Sequence, residues 1–138
     1  MRAIFVDTVY WIAIANPGDQ WSGIAKEVRS SLGDVRLVTT DEVLTEFLTG
    51  LAYGGEHLRR QAAKMVGAIM ENPNVKVLPQ TRDSFLSGVK LYEERSDKHY
   101  SLTDCISMNA MRAESLSEIL TIDNHFEQEG FTVLMRQS

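Results

Sequence analysis

Four carboxylates stand out by type and position: Asp7, Glu46, Asp104 and Asp123. Asp7 follows an apolar run, Ala3 to Val6, and Asp123 follows another, Ile119 to Ile122. Asp104 sits in a helix-start pattern, Ser101-x-x-Asp104. Singly, each of these aspartates is explained as a turn former or a helix cap. Glu46 is different, because it lies between Val43 and Phe47 on or beside an apolar helical stripe. An unpartnered carboxylate there would be costly to bury. One metal ion shared by all four acids would meet that cost, and carboxylate oxygens are the ligands hard cations prefer.

The elements that must position these acids are legible in the patterning. Ala3 to Val6 reads as a strand buried on both faces. A short helix about Tyr10 to Ala15 follows and closes at Asn16-Pro17-Gly18. Trp21, Ile24, Ala25, Val28 and Leu32 recur at helical spacing until Gly33. Val35 to Thr39 is a second strand. Thr39 and Glu42 form a T-x-x-E capping box for a helix carrying Val43, Leu44, Phe47, Leu48 and Leu51, ended by Gly54-Gly55. A helix over Glu56 to Glu71 turns Leu58, Ala62, Met65, Val66, Ile69 and Met70 inward. Val75 to Leu78 is a third strand, and Phe85, Val89 and Tyr92 mark another helix that gives out near Arg95. A helix from about Ser101 carries Ile106, Ala110 and Met111. Ile119 to Ile122 and Phe131 to Met135 are the fourth and fifth strands. Strands alternating with helices imply an α/β sandwich with a mainly parallel sheet. In such sheets ligands bind beyond the carboxyl ends of the strands, where strand order reverses.

Length and composition narrow the rest. The 138 residues suit a single domain over residues 1–138, with 43% apolar and 24% charged residues, so disorder, collagen and coiled coil are excluded. Fourteen Lys+Arg against 19 Asp+Glu give a net charge of −5, so bulk charge does not hold this chain to nucleic acid. The single cysteine, Cys105, excludes an internal disulfide and a multi-cysteine zinc site and reads as a small core residue. The longest uncharged run, Thr8 to Gly18, has eleven residues against about 20 for a membrane span. Asp7 interrupts any signal-like apolar region, and a cytoplasmic location is expected.

The segments FVDTVYWIA (Phe5 to Ala13), VLTEFL (Val43 to Leu48), SLTDCISM (Ser101 to Met108) and LTIDNHF (Leu120 to Phe126) together resemble the acidic motifs of the PIN-domain nucleases. Length, motif order and spacing are similar to those of the small stand-alone VapC-type toxins, and the likeness covers essentially the whole chain. The resemblance implies a three-layer α/β/α sandwich of about five strands in the order 3-2-1-4-5. It implies that Asp7, Glu46, Asp104 and Asp123 are the catalytic, metal-holding acids, with Asp7, Asp104 and Asp123 nearest the ion. Glu46 would position the metal or assist proton transfer. Thr8, Thr103 and Asn124 would orient the ligands from behind.

The activity so implied is Mg²⁺- or Mn²⁺-dependent hydrolysis of an RNA phosphodiester by water. Toxins of this type pair as homodimers and are silenced by a small antitoxin protein, so both partners are expected, and a membrane is not. Crowded carboxylates should raise at least one carboxyl pKa by like-charge coupling.

Other readings compete less well. Asp7-Thr8-Val9 lacks the second Asp of a D-x-D-x-[TV] phosphatase motif. The third strand ends Val77-Leu78-Pro79, without the acid of a response-regulator receiver. No G-x-G-x-x-G or Walker A sequence occurs. The serious alternative is a catalytically inactive PIN-like module that binds RNA or protein. RNA contacts are sought at Arg59, Arg60 and Lys64, one helical turn apart, and at Arg82 and Lys98, although a solvated helix face explains such residues better. His57 and His125 lack metal-ligand spacing. Trp11 and Trp21 are read as core or interface residues.

Overall fold

The computed structural model describes residues 1–136; residues 137 and 138 of the expected 1–138 domain lie outside them. Ile4, Phe5 and Val6 of β1 (Ala3–Val6) are fully buried in succession, so neighbouring layers cover both faces of this strand. The chain continues through α1 (Thr8–Ala15), α2 (Ser22–Leu32), β2 (Arg36–Thr40), α3 (Asp41–Gly50) and α4 (Glu56–Glu71). Then come β3 (Val75–Leu78), α5 (Arg82–Glu94), α6 (Leu102–Ala113), β4 (Glu118–Leu120), α7 (His125–Gln128) and β5 (Thr132–Val133).

The five strands form one sheet in the order β3-β2-β1-β4-β5, and every pairing is parallel. This is the α/β/α arrangement and the strand order that the sequence led us to expect. Helical crossovers carry the chain from β1 to β2 to β3 and back to β4 on the other side of β1. Order therefore reverses between β1 and β4. Their register, Phe5 with Ile119 and Val6 with Leu120, fixes what lies beyond their carboxyl ends.

Several element ends differ from the periodicity reading. The cap of α3 is Thr40, not Thr39: its hydroxyl accepts the Val43 N–H at 3.1 Å. The sheet claims Thr39, which pairs with Val77 and donates its buried hydroxyl to the Val6 carbonyl at 2.9 Å. β4 stops at Leu120, so Asp123 does not follow it directly. A short helix, α7, lies between β4 and β5, and four residues are too few to show a period.

Phe85, Val89 and Tyr92 are exposed rather than core. Helix α5 instead turns Gly88 and Leu91 inward, and a Cβ on Gly88 would lie 2.5 Å from Ile106 Cγ1. Close approach to α6 thus chose a face with less apolar bulk. Met70 and Leu48 are likewise exposed. Among the described residues, no helix is long and apolar enough to cross a membrane.

Candidate active site

Asp7 ends β1 and caps α1, its Oδ1 accepting the Thr8 N–H at 2.8 Å. Its backbone N–H reaches the Leu120 carbonyl at 3.2 Å, which extends the ladder one step and sets Asp7 beside Thr121. The fully buried Thr121 hydroxyl donates to Asp7 Oδ2 at 2.8 Å and accepts the Asp123 N–H at 3.2 Å. Two acids from opposite ends of the sequence are therefore joined through one hydroxyl. On α3, Glu46 takes the Thr8 hydroxyl at 2.7 Å through Oε1. Asp104 closes a capping box with Ser101, Oδ2 accepting the Ser101 N–H at 3.1 Å, so it caps a helix and faces the site together.

All four acids line one cleft of about 740 Å³ at the switch point, together with Thr8, Thr121, Asn124 and Trp21. That volume lies within the ordinary range of ligand sites. Burial pushes the Asp7 carboxyl up to about 7; the hydrogen bonds from Thr121 and Thr8 oppose this, while Asp104 and Glu46 add to it. Burial also raises Asp104, with Asp123 adding to the shift and the Ser101 and His125 contacts opposing it. A raised carboxyl was expected, but removal from water rather than like charge is the leading cause.

The histidine dismissed on spacing is part of the site. Asp123 Oδ1 accepts the His125 N–H at 2.9 Å, turning the chain so that His125 Nδ1 comes 3.3 Å from Asp123 Oδ1 and 3.4 Å from Asp104 Oδ2. Asp104, Asp123 and His125 each offer a donor atom within 4.8 Å of the others. Asp7 and Glu46 stand beyond that inner group. The donors fit a divalent ion: the oxygens are hard, Asp7 is nearly sealed from water, and among the described residues no lysine or arginine lines the cleft.

The remaining expected residues are placed elsewhere. Thr103 lines two adjoining cavities, one shared with Thr8 and Glu46 and the other with Arg82. Arg59 donates to the Ala52 carbonyl, and Arg60 pairs with Glu56. Lys64 lines a separate hollow against Leu58 and Met65. Lys98 pairs loosely with Asp97 at 3.9 Å. Of the five basic candidates, Arg82 lines a cavity that shares Glu42, Gln80 and Thr103 with the hollow beside Thr8 and Glu46.

Sequence reasoning missed Thr121, His125 and the partial exposure of Trp21 to the cleft. Thr121 had a usable signal: in extended chain it shares a face with Asp123, two residues on.

A parallel sheet of this order with acids gathered at its switch point defines a PIN-type fold, and the PIN domain family model matches residues 4–131. The chain belongs to the PIN-domain family. It is 31% identical over 128 residues to the 23S rRNA-specific endonuclease VapC20 of Mycobacterium tuberculosis, in strains CDC 1551 / Oshkosh and ATCC 25618 / H37Rv alike, covering 93% of this chain and 95% of that protein. The crystal structure of M. tuberculosis VapC20, described as a sarcin-ricin loop cleaving toxin, superimposes with a TM-score of 0.83 at 29% identity. It covers 94% of this chain and 96% of that one.

Proposed function

We propose that this chain is a single-domain, metal-dependent endoribonuclease of the VapC type, the toxin of a toxin–antitoxin pair acting in the cytoplasm. The observation that carries this reading is the convergence of Asp7, Glu46, Asp104 and Asp123 on one cleft of a PIN fold. VapC20 is a ribosomal-RNA endonuclease, which supports RNA as the substrate class here.

Asp104 and Asp123 would hold Mg²⁺ or Mn²⁺, with Asp7 completing the set and Glu46 at its margin. When bound, the ion supplies an activated water and screens charge on the phosphoryl oxygens. Thr121 and Thr8 keep the carboxylates aimed by occupying one lone pair on each bonded oxygen. Burial also favours the protonated form of Asp7 when no cation is present. Asn124 is exposed at the rim, and Thr103 supports the site from the adjoining cavity.

A homodimer and a small antitoxin remain part of this reading. The exposed Phe85, Leu86, Val89 and Tyr92 of α5 offer apolar surface for association, which sedimentation of the purified chain measures.

The test is cleavage of ribosomal RNA by wild type and Asp7→Asn, with and without EDTA. Cleavage should need the cation and fall at least about a hundredfold in the variant, beyond the loss typical of an outer partner. A catalytically inactive binding module would bind RNA in both proteins and cut with neither. Undiminished cutting in EDTA, or by a folded Asp7→Asn variant, overturns the assignment.

A further inference from the structure

The inner donor set of the cleft is not the one an all-carboxylate site would give. Asp104, Asp123 and His125 each offer a donor atom within 4.8 Å of the others, with Asp104 and Asp123 aimed by the Ser101 and His125 N–H groups, while Asp7 and Glu46 are engaged by Thr8 and Thr121. His125 Nδ1 faces both carboxylates at 3.3 and 3.4 Å. Those distances are longer than the about 2.7–2.9 Å of a charge-assisted hydrogen bond, which leaves room for an ion between the three groups. With Nδ1 unprotonated, that nitrogen and the two carboxylate oxygens, all within 4.8 Å of one another, suit a common cation.

The imidazole is also firmly backed. Tyr100, 4% exposed, sets its ring 5.2 Å from that of His125 at 55°. The Tyr100 hydroxyl donates to Glu129 Oε2 at 2.9 Å. Glu129 further accepts Arg95 at 3.0 and 3.2 Å and Arg112 at 2.8 Å. Glu129 closes α7, whose first residue is His125, so one cluster pins both ends of that short helix. Ring orientation is therefore set by packing and charge before any cation arrives.

We propose that His125 is a nitrogen ligand of the metal site, that this donor tips the site from Mg²⁺ towards a first-row transition ion such as Mn²⁺, and that Tyr100, held by Glu129, is its positioning residue. Mn²⁺ accepts oxygen donors as Mg²⁺ does but takes an imidazole nitrogen beside them more readily, whereas Mg²⁺ takes oxygen almost exclusively. The assignment rests on the metal-dependent reading above and sharpens it.

The experiment is electron spin-echo envelope modulation on the full chain loaded with Mn²⁺, with Mg²⁺ competition followed by the signal of free Mn²⁺. Wild type should show nitrogen modulation that His125→Asn abolishes. The preference for Mn²⁺ over Mg²⁺ should fall about tenfold in that variant, the size expected for losing one tuning donor. Tyr100→Phe should keep most of the preference, and Tyr100→Ala should lose it. Mn²⁺ bound without nitrogen modulation in wild type, or an unchanged preference in His125→Asn, overturns the proposal and leaves the nuclease reading intact. Failure of the chain to bind Mn²⁺ at all sinks both.

Discussion

The hydroxyl of Thr121 donates to Asp7 Oδ2 at 2.8 Å, linking the carboxyl ends of the neighbouring strands β1 and β4. The same oxygen accepts the Asp123 N–H, so a single side chain sets the spacing of two acids 116 residues apart (Asp7 and Asp123). Thr121→Val keeps the shape and deletes both bonds. Metal affinity, measured by titration calorimetry, should fall about 10–100-fold, while Thr121→Ser should recover most of it.

Asp7 makes the metal-free protein less stable as pH rises from acid to neutral. Its folded pKa, about 7, lies above its unfolded value of 3.8. A raised acid contributes stability that is full below the unfolded pKa and is lost as pH rises through the folded one. Melting temperature in EDTA should therefore decline between about pH 4 and 7 from this group. Asp7→Asn should flatten the slope to the part owed to Asp104. A saturating divalent cation should reverse it in wild type, because the ion favours the ionised form.

Glu129 acts in the opposite direction. Burial works to raise its carboxyl, but hydrogen bonds from Arg95, Tyr100 and Arg112 prevail and hold it down at about 2. Its contribution is present above the unfolded value of 4.5 and is lost as pH falls towards 2. Burial and the Glu129 contact push the Tyr100 hydroxyl up to about 12, so Tyr100 stays a donor throughout. Glu129→Gln should lower the melting temperature at neutral pH and flatten the acid limb, as followed by circular dichroism.

Arg82 and Arg60 should behave differently towards RNA. Arg82 lines a cavity one hollow removed from the acidic cleft, with its guanidinium 5.7 Å from the Phe85 ring centroid. Arg60 lies on the exposed face of α4, paired with Glu56. In binding titrations at several salt concentrations with an uncleaved RNA, Arg82→Ala should weaken binding and reduce the salt slope by roughly one. Arg60→Ala should leave both unchanged. Equal effects would place the RNA path over α4 instead.

Much of this protein was written in its one-dimensional pattern. Alternating apolar runs and amphipathic stretches gave five strands between helices, because burial of a two-faced sheet and a one-faced helix imposes different periods. The four acids were legible because each stands beside an element boundary or an apolar stripe, and the motif order carried the family. What the pattern could not hold was register and proximity. That Thr121 would face Asp7 follows from pairing Val6 with Leu120, a relation between residues far apart in sequence. That His125 would approach Asp104 required α7, too short to announce itself, and the Glu129 cluster that pins it. The inward face of α5 was decided by the close approach of Gly88 to α6 rather than by the bulk of Phe85 and Tyr92. Local composition selects elements through solvent exclusion, but which polar groups meet is settled only when the sheet closes its ladder and the helices find their packing distance.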